Sequence, residues 1–152
     1  CVVMPPFTAI KELEQNSIVL NVEVLANGKT YPVRAVVDTG ATYTSISKRL
    51  AEKAELKPVL LSDANTAAGR QEGVKVYRAG LIIERRMKAA ERFMPEFITG
   101  SNDEDILIGM DILGKGEFAF THYNDKYVFT FRYPPTSEPI DFRDSHENEK
   151  VE

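Results

Sequence analysis

Val36-Val37-Asp38-Thr39-Gly40-Ala41-Thr42 sets an acidic residue directly after an apolar run. A carboxylate in that position is costly unless its charge is satisfied or its proton affinity shifts. Gly40 lets the backbone turn sharply and brings amide groups close to the carboxylate, while Thr39 supplies a hydroxyl that can brace the loop. A carboxylate presented on a rigid, glycine-permitted loop suits general acid–base work on a water molecule. An Asp-Thr-Gly tripeptide alone is also an ordinary strand-ending turn. The apolar residues before it, and Ile46 after Ala41-Thr42, favour the chemical reading.

Upstream, Ile18, Leu20, Val22 and Val24 alternate with Asn21 and Glu23, which predicts a strand over 18–25. Asn27-Gly28 tolerates the positive φ angles of a tight hairpin turn, and residues 31–37 form the return strand that feeds Asp38. Downstream, Ser47 offers an N-cap for a short helix over 48–56, closed by Pro58. Residues 62–73, including Ala67-Ala68-Gly69, suit a small-residue loop or hairpin tip. Strands are expected at 74–77 and 81–83, and the charged stretch 84–92 suits a hairpin or one helical turn. Residues 93–98 suit a further strand, which Pro95 would place at a sheet edge. A polar loop, 99–105, precedes Ile106-Leu107-Ile108-Gly109 and a short helix beginning at Met110. In the last hairpin Phe118 and Phe120 answer Tyr127, Phe129 and Phe131 across Asn124-Asp125. Many short strands with turn signals predict an all-β barrel or sandwich with one or two short helices. Residues 1–16 read as an N-terminal arm, 17–133 as the folded domain, and 134–152 as an acidic, disordered tail.

Composition narrows the function classes. The 152 residues fit one domain, and 43% hydrophobic with 28% charged residues is ordinary for a globular protein. A formal charge of −4 and a pI near 5.3 argue against binding nucleic acid or an anionic membrane. No apolar run approaches the ~20 residues of a membrane-spanning helix. Cys1 is the single cysteine, so neither an intrachain disulfide nor a cysteine-based metal site is expected. That favours a reducing, cytoplasmic setting, and no signal-peptide core is seen. A first residue other than Met suggests trimming from something longer. His122 lies in an aromatic strand and His146 in the tail, so no metal cluster or Ser-His-Asp triad is expected, and no cofactor. Ser45 and Ser47 read as strand and cap residues. Gly114-Lys115-Gly116 lacks the strand–loop–helix spacing of a phosphate loop and reads as a turn.

Val37-Asp38-Thr39-Gly40-Ala41-Thr42 resembles the active-site loop of retropepsins, the aspartic proteases of retroviruses, LTR retrotransposons and their cellular relatives. Ile106-Leu107-Ile108-Gly109-Met110-Asp111-Ile112-Leu113 resembles the family's second signature, an apolar pair followed by Gly. The two occur in the family's order, Gly109 standing 71 positions after Asp38, and the resemblance covers residues 18–131. It implies a closed β-barrel that is one half of an acid protease, active as a homodimer. It also implies that Asp38 is the catalytic acid and that Thr39, with Gly40, makes the cross-dimer hydrogen bonds. Ala41 would line the cleft, and Leu107, Ile108 and Gly109 would hold the catalytic loop. A flap over the substrate is implied for 66–73, with Ala67, Ala68 and Gly69 at its tip. Viral members usually carry Arg where this chain has Met110, which puts in doubt the ion pair that Arg would make. Asp111, with no Thr-Gly after it, reads as a cap or surface partner on the short helix and not as a second catalytic acid. The implied partner is a second copy of the chain, and the substrate a peptide or protein. The rival expectation is a catalytically silent module of the same fold that binds peptides or dimerises.

Overall fold

The computed structural model describes residues 4–66, 69–84, 96–101 and 103–145. Its elements run in the order β1 (Met4–Lys11), β2 (Ile18–Ala26), β3 (Lys29–Val37), β4 (Ser45–Ser47), α1 (Lys48–Lys53), β5 (Leu60–Thr66), β6 (Gly69–Arg78), β7 (Gly80–Ile83), β8 (Glu96–Gly100), β9 (Ile106–Ile108), α2 (Met110–Leu113), β10 (Glu117–Tyr123) and β11 (Lys126–Tyr133), followed by a 3-10 helix (Phe142–Ser145) within the stretch read from the sequence as a disordered tail. The chain is thus mostly β, as its pattern of short alternating runs predicts. Strands order as β5-β6-β8-β4-β9-β3-β2-β7 in one sheet and as β1-β11-β10 in a second.

The two hairpins clearest in sequence form as expected. In β2 and β3, Val22 faces Val33 and Leu20 faces Ala35, and Asn27 and Gly28 take φ of 51° and 74°, the paired positive values of a tight two-residue turn. In β10 and β11, Phe118 faces Phe131 and Phe120 faces Phe129 across Asn124 and Asp125, both also at positive φ. Ser47 caps α1, its hydroxyl oxygen accepting from the Leu50 amide at 3.0 Å. Gly114-Lys115-Gly116 is the turn expected, its amides donating back to the carbonyls of Met110, Ile112 and Leu113.

Two segments differ from their sequence reading, and a third keeps one of its two alternatives. Residues 1–16 show no period, yet β1 pairs antiparallel with β11, buries Ala9 and sets Phe7 against Phe129 and Phe131. Pro5-Pro6 hides the strand because prolines break the alternation, and the register shifts between Met4 and Phe7. Residues 62–73 are ladder almost to the tip, with Asn65 opposite Arg70 and Thr66 opposite Gly69, so the hairpin alternative holds over the loop. The strand expected at a sheet edge begins at Glu96 and lies between β6 and β4, because Phe97 is fully buried there. Of the charged stretch 84–92 only Glu84 is described. Its carboxylate accepts from the Asn21 amide at 2.8 Å and pairs with Lys11. Residues 85–92, and Pro95, lie outside the described residues.

One apolar core lies between the sheets. Leu20, Val24, Ile46, Leu81, Phe97, Ile106, Ile108 and Ile112 from the larger unit meet Ala9, Tyr127, Phe129 and Phe131 from the smaller. Each large side chain withdrawn from water this completely stabilises the fold by roughly 1.5–3 kcal/mol. Tyr127 spans the two sheets. Its hydroxyl donates to the Val19 carbonyl at 2.8 Å and accepts from the Val19 amide at 3.1 Å, so the buried oxygen is satisfied. Burial pushes the phenol above its ordinary range. Among the described residues no helix is long and apolar enough to cross a membrane.

Candidate active site

Asp38 stands one residue beyond the end of β3. That strand lies parallel to β9, with Val36 opposite Leu107 and Val37 opposite Ile108. The ladder continues into the loop, since the Asp38 amide donates to the Ile108 carbonyl at 2.9 Å. On the other side of β9 runs β4, antiparallel, with Ile46 opposite Ile106. Residues 38–44 therefore pass around the end of β9 to reach its far side. A loop wound this way is fixed at both roots by a strand that is itself buried at Ile106 and Ile108.

Within the loop the Gly40 amide donates to Asp38 Oδ1 at 2.8 Å, and the Ala41 amide to the Asp38 carbonyl at 3.2 Å. A backbone donor held at this distance orients the carboxylate. A side-chain carbon on Gly40 would stand 3.2 Å from the same Oδ1, so the close approach depends on glycine. Asp38 and Ala41 are partly exposed, and Thr39, Gly40, Thr42 and Tyr43 are exposed. The carboxylate thus sits on the protein surface of a single chain, on a backbone that is nevertheless tied down.

The second signature closes against this loop. Gly109 is buried, and a Cβ there would lie 2.7 Å from the Tyr43 carbonyl carbon and 2.8 Å from the oxygens of Ala41 and Tyr43. Only glycine lets the two backbones approach so closely. The Met110 amide donates to the Ala41 carbonyl at 2.8 Å and the Asp111 amide to the Thr42 carbonyl at 3.2 Å. Leu107 is half-buried, and Ile108 supplies the carbonyl that receives Asp38. Asp38, Thr39, Gly40, Ala41, Leu107, Ile108 and Gly109 are accordingly brought together, although 71 positions separate Asp38 from Gly109.

One side chain of this assembly, Thr44, escaped the sequence reading, and the role of a second, Asp111, differs from it. Thr44 is wholly buried, and its amide and hydroxyl both donate to Asp111 Oδ1, at 2.9 and 2.7 Å. The Thr44 hydroxyl in turn accepts from the Gly109 amide at 3.1 Å, and Asp111 Oδ1 also accepts from the Ile112 amide at 3.0 Å. Asp111 is therefore neither a cap nor a surface partner. Gly109 occupies the cap position of α2, and the Asp111 carboxylate reaches across to the Asp38 loop. A Thr six residues after the Asp and an Asp two residues after the second Gly were the available signals. Neither says which atoms meet.

The other singled-out residues sit apart from the loop. Gly69 opens β6 on the hairpin at the β5 edge of the larger sheet, exposed and at φ +106°. Ala67 and Ala68 lie outside the described residues. Ser45 belongs to β4 and Ser47 caps α1 while donating to Asp105 at 2.9 Å. His122 packs edge-on against Phe120 at 5.0 Å. Among the described residues no group of three His, Cys, Asp or Glu side chains could hold a metal ion.

A family model described as gag-polyprotein putative aspartyl protease matches residues 22–115, which include both signatures. The DNA damage-inducible protein 1 of Candida glabrata is 38% identical over 96 residues, 62% of this chain and 21% of that protein. The protein of the same name in Saccharomyces cerevisiae is 34% identical over 96 residues, with the same shares of 62% and 21%. This chain thus spans about a fifth of the length of these curated relatives. Among solved structures, a retropepsin-like aspartic protease from Rickettsia conorii superposes with a TM-score of 0.53 at 16% identity, over 86% of this chain and 96% of that one. At that identity the likeness is one of fold.

Proposed function

Because the chain belongs to the gag-polyprotein putative aspartyl protease family, we propose that it is an endopeptidase whose active site forms when two copies pair. The observation that carries this reading is the Asp38 loop, tied to Ile108 and Gly109 yet exposed at Thr39 and Gly40. A chain with one Asp-Thr-Gly supplies one carboxylate, and peptide hydrolysis of this type uses two around one water. A two-fold axis beside the loop supplies the second.

Two carboxylates about 3 Å apart cannot both ionise easily and hold one proton between them, the general pattern of aspartic proteases. One Asp38 takes a proton from the water as it attacks the scissile carbonyl carbon. The protonated partner donates to the carbonyl oxygen, giving a neutral tetrahedral diol. On collapse the newly protonated Asp38 gives its proton to the nitrogen as the C–N bond breaks, and its partner takes a proton from a diol hydroxyl, so the pair again holds one shared proton. The two acids titrate as a unit, so the rate is expected to rise and fall with pH around the singly protonated form. Thr39 of each copy would bond across the axis, and Ala41 would line the cleft. The substrate is an extended peptide or protein segment bound as an added strand. Gly69 belongs to the hairpin that would close over it, and the same flap role is proposed for Ala67 and Ala68 from the sequence alone. No metal, cofactor, nucleic acid or membrane partner enters this reading.

The test is cleavage of a diverse peptide pool between acidic and neutral pH by the parent and by Asp38→Asn, with solution mass measured on both. The parent is expected to cleave as a dimer, and the variant to keep its mass while losing about 10⁴-fold or more in rate. Equal cleavage by both, or cleavage by a strictly monomeric parent, overturns the proposal. Peptide binding without cleavage by either would identify a silent binding module.

A further inference from the structure

The proposed reaction requires Asp38 to be fixed within the half-site itself, and the bonds between Thr44 and Asp111 lie at the far root of its loop. Thr44 is wholly buried and lies six residues beyond Asp38, where the loop enters β4. Its hydroxyl is used twice, as a donor to Asp111 Oδ1 at 2.7 Å and as an acceptor from the Gly109 amide at 3.1 Å. Asp111 Oδ1 receives the Thr44 amide at 2.9 Å and the Ile112 amide at 3.0 Å as well. Meanwhile the Thr44 carbonyl accepts from the Ile98 amide at 3.2 Å, joining this node to β8. The near root of the loop is held by β9, and the far root by its own pairing with β9 together with one carboxylate oxygen.

We infer that Thr44 and Asp111 form a positioning pair that sets the orientation of Asp38 without taking part in the chemistry, an inference that rests on the proteolytic reading above. The geometry makes a distinguishing demand. All three bonds received by Asp111 end on Oδ1, and a carboxamide oxygen can accept the same three. Charge at position 111 is then dispensable and the acceptor is not, the opposite of what a catalytic acid requires. At Thr44 the hydroxyl is needed and the methyl is not. Misplacement of a reacting group by about 1 Å costs up to about 100-fold in rate, which sets the size of the effect.

The experiment compares Asp111→Asn, Asp111→Ala, Thr44→Ser and Thr44→Val with the parent and Asp38→Asn in the full chain. It reads kcat and KM on a cleaved peptide, together with amide hydrogen exchange at residues 38–44 and 109–112. The conservative variants Asp111→Asn and Thr44→Ser are expected to keep kcat within about threefold and to retain protection. Asp111→Ala and Thr44→Val are expected to lose about 10- to 100-fold in kcat with KM changed less than about threefold, and to exchange faster at Gly109 and Thr44. Asp111→Asn as inactive as Asp38→Asn, with parent-like exchange, overturns the pair by making Asp111 an acid of the reaction. Truncations with parent-like kcat and exchange overturn it equally. If the parent cleaves nothing, the proteolytic reading fails and the exchange pattern alone still decides the brace. Should a truncation not fold, loss of protection in Asp111→Asn overturns the pair and its retention supports it.

Discussion

The Asp38 loop and the β5–β6 hairpin both depend on glycine, for opposite reasons. At Gly109 the constraint is space, since a Cβ would enter the backbone of Ala41 and Tyr43 at 2.7–2.8 Å. At Gly69 nothing lies within 4 Å of a Cβ, and the constraint is the backbone angle, φ +106°. The first glycine is fixed by what surrounds it, the second by its own conformation. The loop is correspondingly held by long-range contacts, whereas the outer half of the hairpin, residues 63–73, has its ladder, the Arg70–Asp63 pair at 2.9 Å and, among its described residues, burial at Ala64 alone. A rigid presentation of Asp38 and a hairpin able to open are the two properties that the proposed hydrolase would need from these segments.

The largest test of this contrast is Gly109→Ala. Backbone on both sides cannot shift locally, so stability should fall by about 3 kcal/mol or more in urea unfolding, with peptide cleavage lost. Gly40→Ala is expected to act on activity more than on stability. Its Cβ at 3.2 Å from Asp38 Oδ1 displaces the carboxylate by a few tenths of an ångström, which should lower kcat about 10-fold with unfolding changed by about 1 kcal/mol or less. Gly69→Ala meets open space and pays only for the unfavourable φ, about 1 kcal/mol. Faster amide exchange confined to the hairpin, with a raised KM and little change in kcat, would support its assignment as the closing segment; a fall in global stability as large as that of Gly109→Ala would erase the contrast. Arg70→Ala removes an exposed ion pair, and the unfolding midpoint should correspond to a change within about 0.5 kcal/mol.

Legibility followed the range of the interactions. The β2–β3 and β10–β11 hairpins, the Ser47 cap and the Asp38 turn are each written within a few neighbouring residues, where alternation and turn chemistry act. Segments decided by distant partners were harder. Pro5-Pro6 masks β1, whose place is set by β11 at the other end of the chain. Residues 93–98 carry Pro95, yet Phe97 finds a fully buried slot between β6 and β4. Asp111, polar and in the first turn of a short helix, gave no local sign that its oxygen would be taken by Thr44.

By itself the sequence determined which residues form the two signatures, the strands that carry them and the presence of one Asp-Thr-Gly per chain, because these depend on residue type and local period. Tertiary structure alone decided that β9 runs between β3 and β4, that Gly109 meets the backbone of Ala41 and Tyr43, and that Thr44 and Asp111 bind one another. Such contacts arise from strand pairing and close packing between segments some 60 to 71 positions apart, and no periodicity along the chain encodes which distant backbone atom will come within about 3 Å.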